Sequence, residues 1–366
     1  MNEPLAKYLK PLLILYYPFL LAICFLWLAL AAGLALLFAE TGLIFFLILA
    51  FLLVLPLLHA LWALRVLAQS APIDDGYGLK MPCEILKNLY RFVAEVAKER
   101  RCPPPAEIRL AAETVACVSE DGDGRLILVV GAIAISFFTQ PALAGVVAHE
   151  LAHYREGDTR FTRRARRHHL FMNVLHGHLW EQSGTKLNPL IWLVLGYHAL
   201  YQRAWAADSR EREYAADQYT VAQVGKEQAA ATLIHLILAE RLPWVRLSNV
   251  AKSVVETKLP VDQIFAEQRR RAQLIRPSEW QEACQNELRR RTLALDSHPS
   301  LKDRLKALKV SPKNALKYAL DQPGPPAADL IPAWPGIERR MTEEIVAEYR
   351  EAHMIKMELG QIYRRL

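Results

Sequence analysis

The sequence predicts a mainly helical chain with a small antiparallel β-sheet (α+β), set behind an N-terminal transmembrane helical hairpin. Three observations predict it. Two long uncharged apolar runs come first, short β-branched segments cluster between residues 107 and 131, and helical apolar spacing covers most of the remainder.

The hairpin is the clearest element. No charged residue occurs from Pro11 to Phe38, and none from Thr41 to Leu64. Each run exceeds the roughly 20 apolar residues that cross a bilayer as a helix. Only AETG (Ala39 to Gly42) separates them, so spans at about 11–38 and 43–67 are expected within a hairpin over 11–67. A cleaved signal peptide fits poorly, because the first run is too long and leads straight into another. LAIC at Leu21 to Cys24 is a weak match to a lipoprotein box. Ile23 is bulky where a small residue is wanted, and the apolar run continues past Cys24.

Basic residues orient the hairpin. Lys7 and Lys10 precede the first span, the connecting loop holds Glu40 and no Lys or Arg, and Arg65, Lys80, Lys87 and Arg91 follow the second. The N-terminus (1–10) and everything after the hairpin are therefore expected in the cytoplasm, which makes a multi-pass protein of the inner membrane. Five cysteines without paired spacing suit a reducing compartment. The net charge of +7 includes clusters at Arg160 to His169, Arg269 to Arg271 and Arg289 to Arg291. No nucleic-acid motif accompanies them, so the lipid bilayer is the expected partner of these charges.

After a linker from residue 72, EILKNLYRFVAEVAKER spaces Ile85, Leu86, Leu89, Phe92, Val93 and Val96 as one helical face, ended by CPPP at Cys102 to Pro105. EIRLA, TVACV and RLILVVG read as strands, with EDGDG (Glu120 to Gly124) as a hairpin turn between the last two. A calcium loop is the alternative for DGDG, but its other ligand positions are missing. A helix starts near Thr139 or Gln140, with Pro141 in its first turn and Gly157 as its stop. NPLIWLVLGYHALYQRAWA (Asn188 to Ala206) has an apolar stretch short for a span, suited to the interface or to packing on the protein. SREREYAADQYTVAQVG (Ser209 to Gly225) reads as a separate helix. More helices reach about Leu308, a Pro-rich linker covers 311–336, and a charged helix covers 337–366.

The chemistry lies in VVAHELAHYREGD (Val146 to Asp158). Positions i and i+4 of a helix stack on one face, so His149 and His153 can aim imidazole nitrogens at one metal ion. Glu150, beside the first ligand, reaches a water on that metal. This is the H-E-x-x-H arrangement of zinc peptidases. The bland alternative is a helix with satisfied histidines. The apolar residues around the motif oppose it, since burying two imidazoles and a carboxylate without a partner costs several kcal/mol. Zinc needs a third protein ligand. EREYAAD offers Glu213, with Asp217 one turn on to accept a hydrogen bond from a ligand histidine. Glu211 is the competing ligand.

HELAH, EREYAAD and SHPSLKDRLKAL (Ser297 to Leu308), in that order, resemble the membrane metallopeptidases typified by the HtpX heat-shock protease and the CAAX prenyl protease. The resemblance covers roughly residues 75 to 310, inside an expected peptidase domain over 72–310. It implies a zincin-type fold with one zinc ion on His149, His153 and Glu213, and Glu150 as catalytic acid/base. It further implies that Asp217 supports a ligand histidine, that His298 lies near the metal, either as a catalytic group that stabilises the oxyanion or as one that blocks the open position in a resting state, and that Arg304 anchors its motif by an ion pair. Two departures stand out. Relatives often carry Asn-Ala on the substrate-holding edge strand, where this chain has ETVACV. HtpX-like proteins usually place a second transmembrane hairpin after HExxH, where this chain has the polar HHLFMNVLHGHLWEQ. The CAAX protease encloses its site in many more spans, so prenylated cysteine is not the expected substrate.

Peptide and protein chains are the expected substrates, bound as an added strand beside residues 114–118 or 125–131. A second metal site at His168, His169, His176 and His178 is the weaker reading of those histidines. The competing functional class is a membrane-anchored scaffold or holdase with structural zinc, which His298 as a permanent fourth ligand would favour.

Overall fold

The computed structural model describes residues 4–51, 54, 62, 65, 78–112, 116–121, 124–156, 165, 168–177, 189–241, 248–252, 264–321 and 324–363. The second apolar run beyond Phe51, apart from Val54 and Trp62, the basic cluster at 160–167 apart from Ala165, and His178 lie outside them. The chain forms two compact units. One comprises Met1–Ala71, Gly157–Glu213 and Leu293–His298, the other Pro72–Glu156, Tyr214–Thr292 and Pro299–Leu366.

In the first unit, α1 (Leu9–Thr41) is a 33-residue helix ended by Gly42 in the left-handed region, φ +68°. With the turn before it (Ala6–Tyr8), it is long and apolar enough to cross a membrane. Leu9, Leu13, Tyr16, Ile23 and Trp27 form its buried face, while Ile14, Leu21, Phe25 and Leu36 stand exposed. That buried face packs with Ala165, Phe171, Met172 and Leu175, and with Ile191, Val194, Tyr201 and Ala204.

The second unit is built on α2 (Lys87–Glu99), a small sheet, and helices α3 (Ala132–Phe137) and α4 (Gln140–Glu156). The sheet has β1 (Leu79–Lys80), β2 (Glu107–Ala111), β3 (Ala116–Glu120) and β4 (Leu126–Gly131), in the order β1-β2-β4-β3. It is mixed rather than wholly antiparallel. β3 and β4 form the expected hairpin, but β2 pairs with β4 in parallel, Glu107 opposite Ile127 and Ala111 opposite Gly131. β4 is therefore internal and buried at every position. Of the two expected substrate edges, 125–131 is ruled out, and β3 is the edge strand. Asp121 is engaged in its hairpin turn, accepting from the Arg125 backbone at 2.8 Å and from Arg125 Nε at 2.7 Å.

α5 (Pro189–Val224) is one continuous 36-residue helix, where sequence patterning suggested two segments. The switch from an apolar to a charged face at about Ser209 changes the surroundings, not the backbone. α6 (Lys226–Arg241), α7 (Ile264–Gln273), α8 (Pro277–Arg289) and α9 (Leu301–Leu308) follow. The expected linker over 311–336 is largely structured. It contains α10 (Pro312–Asp321), and Ala327, Ile331 and Trp334 lie in the core with Ile337 and Met341 of α11 (Trp334–Tyr363). Proline excludes regular pairing, not burial. This segment also braces the start of α4. Gln140 N donates to Pro325 O at 2.8 Å, and Ala327 N to Phe138 O at 2.8 Å.

Candidate metal centre

α4 buries most of its circumference. Leu143, Ala144, Val146, Val147, Ala148, Leu151 and Ala152 are all in the core, and the helix packs against α2, α6 and edge strand β3. A helix apolar nearly all round cannot expose its polar residues freely. His149, Glu150 and His153 occupy the half-buried remainder.

Gly145, one turn before His149, sets the approach of the next layer. A Cβ there would lie 3.3 Å from Thr232 Oγ1 and 3.4 Å from the Thr220 and Val224 methyl groups. Thr220 also donates to Gly145 O at 3.4 Å and to Ala216 O at 3.0 Å. This close contact places the turn of α5 that bears Asp217 opposite the turn of α4 that bears His149. His149 Nδ1 lies 3.5 Å from Asp217 Oδ1, and Asp217 is 2% exposed. Arg304 holds the carboxylate from its far side with a two-pronged contact, Nε to Oδ2 at 2.8 Å and Nη2 to Oδ1 at 2.5 Å. The planar fork matches the carboxylate and satisfies a charge that burial would otherwise make costly. Ser300 caps α9, accepting from Asp303 N at 3.3 Å, and so fixes the first turn from which Arg304 projects.

With Nδ1 directed to Asp217, His149 presents Nε2 to His153 Nε2 at 3.1 Å, the rings being edge-on at 84°. Glu213, one turn before Asp217 on α5, joins them. One ligand atom from each of His149, His153 and Glu213 lies within 4.8 Å of the other two. No other such group of His, Cys, Asp and Glu occurs among the described residues. The donor set fits zinc. Zn–N bonds of about 2.0–2.1 Å put two tetrahedral nitrogens about 3.3 Å apart, close to the separation of this imidazole pair. Glu211 is not part of the group. The group also excludes His168 and His169, which meet Tyr16, Tyr201 and Trp205 through ring contacts, and His176, whose ring stacks on His198 at 6.2 Å.

His298 is 72% exposed, with Nδ1 3.0 Å from Glu213 Oε1. It contacts the carboxylate of the third ligand and is not a member of the ligand group. Sequence reasoning missed two residues. Gly145 carried no signal beyond being a glycine inside a helix. Arg210 did carry one. Arg210, Glu213 and Asp217 fall at i, i+3 and i+7, a single helical face.

The model of peptidase family M48 matches residues 91–311, more than half of the chain. No curated protein and no solved structure matches. The matched stretch includes α4, α5 and α9 with every residue of the site, and the chain belongs to peptidase family M48, the metallopeptidases that include the HtpX and CAAX prenyl protease types.

Proposed function

We propose that this metallopeptidase is a zinc-dependent, HtpX-like endopeptidase, anchored in the inner membrane by the hairpin over 11–67, with its catalytic domain over 72–310 in the cytoplasm. The observation that carries the reading is the convergence of His149, His153 and Glu213, with Glu150 beside the first histidine. Zinc held there supplies Lewis acidity, lowering the pKa of water toward about 7 and polarising the scissile carbonyl. Asp217 fixes the tautomer of His149 so that Nε2 faces inward, and the two-pronged contact from Arg304 holds Asp217 in place. Glu150 takes the proton from the attacking water and returns it to the leaving nitrogen. His298, on the solvent side of Glu213, is positioned to donate to the developing oxyanion.

Substrates are unfolded or misassembled chains, membrane proteins among them, added as a strand to β3. Backbone pairing at an edge reads main chain rather than sequence, so selectivity is broad. The apolar residues on the outer face of α1 suit lipid contact, and the basic clusters suit an anionic leaflet. A scaffold with structural zinc is not favoured. Among the described residues the group holds three protein side chains rather than the usual four, and His298 stands outside it.

The test is Glu150→Gln in the purified full-length protein. Bound zinc should be retained, while cleavage of an unfolded casein-type substrate falls on the order of 10²–10⁴-fold. Undiminished cleavage would remove Glu150 from its role. Glu213→Ala should lower zinc occupancy, and full occupancy in that variant would shift the third ligand to Glu211.

A further inference from the structure

We propose that Arg210 is a positioning residue that sets His298 against Glu213 by clamping the loop leading to it. The loop over 293–298 leaves and rejoins the fold between Thr292 and Ser300, where Ser300 N donates to Thr292 Oγ1 at 2.9 Å. Thr292 Oγ1 in turn donates to Asp303 Oδ2 at 2.5 Å. Within the loop, Asp296 folds back, its Oδ2 accepting from Leu293 N at 2.8 Å. This fold turns three carbonyls inward onto one nitrogen. Arg210 Nη1 reaches Asp296 O at 2.8 Å and the carbonyls of Leu293 and Ala294 at 3.4 Å.

Arg210 is only 5% exposed. A desolvated guanidinium needs acceptors, and backbone carbonyls satisfy it only while the loop keeps this shape. The loop's own leucines do not hold it, since Leu293 and Leu295 are 65% and 60% exposed. His298 is itself largely in solvent, so packing does little to locate its ring, and its backbone must be held instead. Arg210 and Glu213 are three residues apart on α5, a rise of about 4.5 Å. One helical turn thus fixes the loop through the first residue and presents the carboxylate to His298 through the second. A guanidinium outside the ligand group thereby decides where the imidazole of His298 stands.

This rests on the peptidase reading above. Full-length protein that neither binds zinc nor cleaves would overturn that reading, whereas hydrogen exchange tests the clamp independently of activity. The experiment compares wild type, Arg210→Gln and Arg210→Lys, each with and without His298→Ala. Expected in R210Q are unchanged zinc content, faster amide exchange confined to 293–298, and unchanged exchange in α9. Its kcat should fall about tenfold or more with KM within about twofold, the signature of a displaced group rather than lost binding. Lysine is shorter and lacks the fork, so R210K should show a smaller loss and a smaller rise in exchange. In the H298A background neither substitution should lower kcat further. Equal losses with and without His298, loss of zinc, or unchanged exchange at 293–298 would each overturn the proposal. Should R210Q fail to fold, R210K reads the same three quantities.

Discussion

The two halves of α5 bury polar groups in opposite ways. The first half, through about Ala206, lies in an apolar core shared with α1. There His198 is fully buried, with Nε2 3.2 Å from the Tyr16 hydroxyl and Nδ1 without a hydrogen-bond partner among the described residues. Nearby His168 is 1% exposed, and neither of its ring nitrogens has such a partner. In the second half each buried charge meets a matched group, Arg210 its carbonyls, Glu213 the imidazole of His298, and Asp217 the guanidinium of Arg304. One continuous helix therefore carries polar groups that packing tolerates and polar groups that the fold is built around. Burial alone does not separate the two kinds, but partner geometry does.

The largest effect should come from breaking a matched pair. Arg304→Ala leaves the Asp217 carboxylate buried beside His149 with its strongest partner gone. A loss of about 3–5 kcal/mol is expected, because the surviving charge is uncompensated. Zinc affinity should fall about 10–100-fold, since Asp217 no longer holds His149 in one tautomer. Denaturant midpoints in detergent and chelator competition measure the two. A change under 1 kcal/mol with unaltered zinc affinity would erase the contrast between the halves, by placing this pair with the tolerated groups.

A smaller effect should follow from disturbing the contact that brings the second half of α5 into register. At Gly145 a Cβ meets neighbours at 3.3–3.4 Å, a gap that they can open by a few tenths of an ångström. Gly145→Ala should therefore cost about 1 kcal/mol or less, helix propensity partly offsetting the crowding. Gly145→Val should cost about 1–3 kcal/mol. It should also weaken zinc binding, because displacing Thr220 moves Asp217 from His149. If Gly145→Val left zinc affinity intact, the register of Asp217 would have to be set elsewhere, by Arg304 alone.

Much of this contrast can be read from residue spacing. Two histidines four apart, a glutamate and an aspartate four apart, and long uncharged runs each follow from helical period, which is local. The mixed sheet was not readable, because whether β2 meets β4 in parallel depends on the crossover through β3, a non-local choice. The core position of Ala327, Ile331 and Trp334 was hidden by prolines that mark turns without marking exposure. The joining of Asn188–Ala206 to Ser209–Gly225 was hidden by the change of face near Ser209. Arg210 was hidden for another reason. Its contacts to the 293–298 loop go to backbone carbonyls, which every residue has, so no side-chain type in that loop announces them.

The smallest expected effect tests the tolerated class. His168 meets Tyr16 edge-on at 4.3 Å and Tyr201 at 5.0 Å, contacts that a phenyl ring can also make. A buried polar atom without a hydrogen bond costs about 1–3 kcal/mol relative to an apolar group that fits. Overpacking by the larger ring takes back part of that gain. His168→Phe should thus be neutral or stabilising by about 1 kcal/mol in a detergent denaturation series, with cleavage within about twofold of wild type. The opposite result would be more instructive. A destabilisation of about 2 kcal/mol or more would mean that the imidazole nitrogens have partners beyond the described residues, and that the first half of α5 also depends on a polar network. A loss of cleavage without a loss of stability would instead tie this histidine to the working of the site.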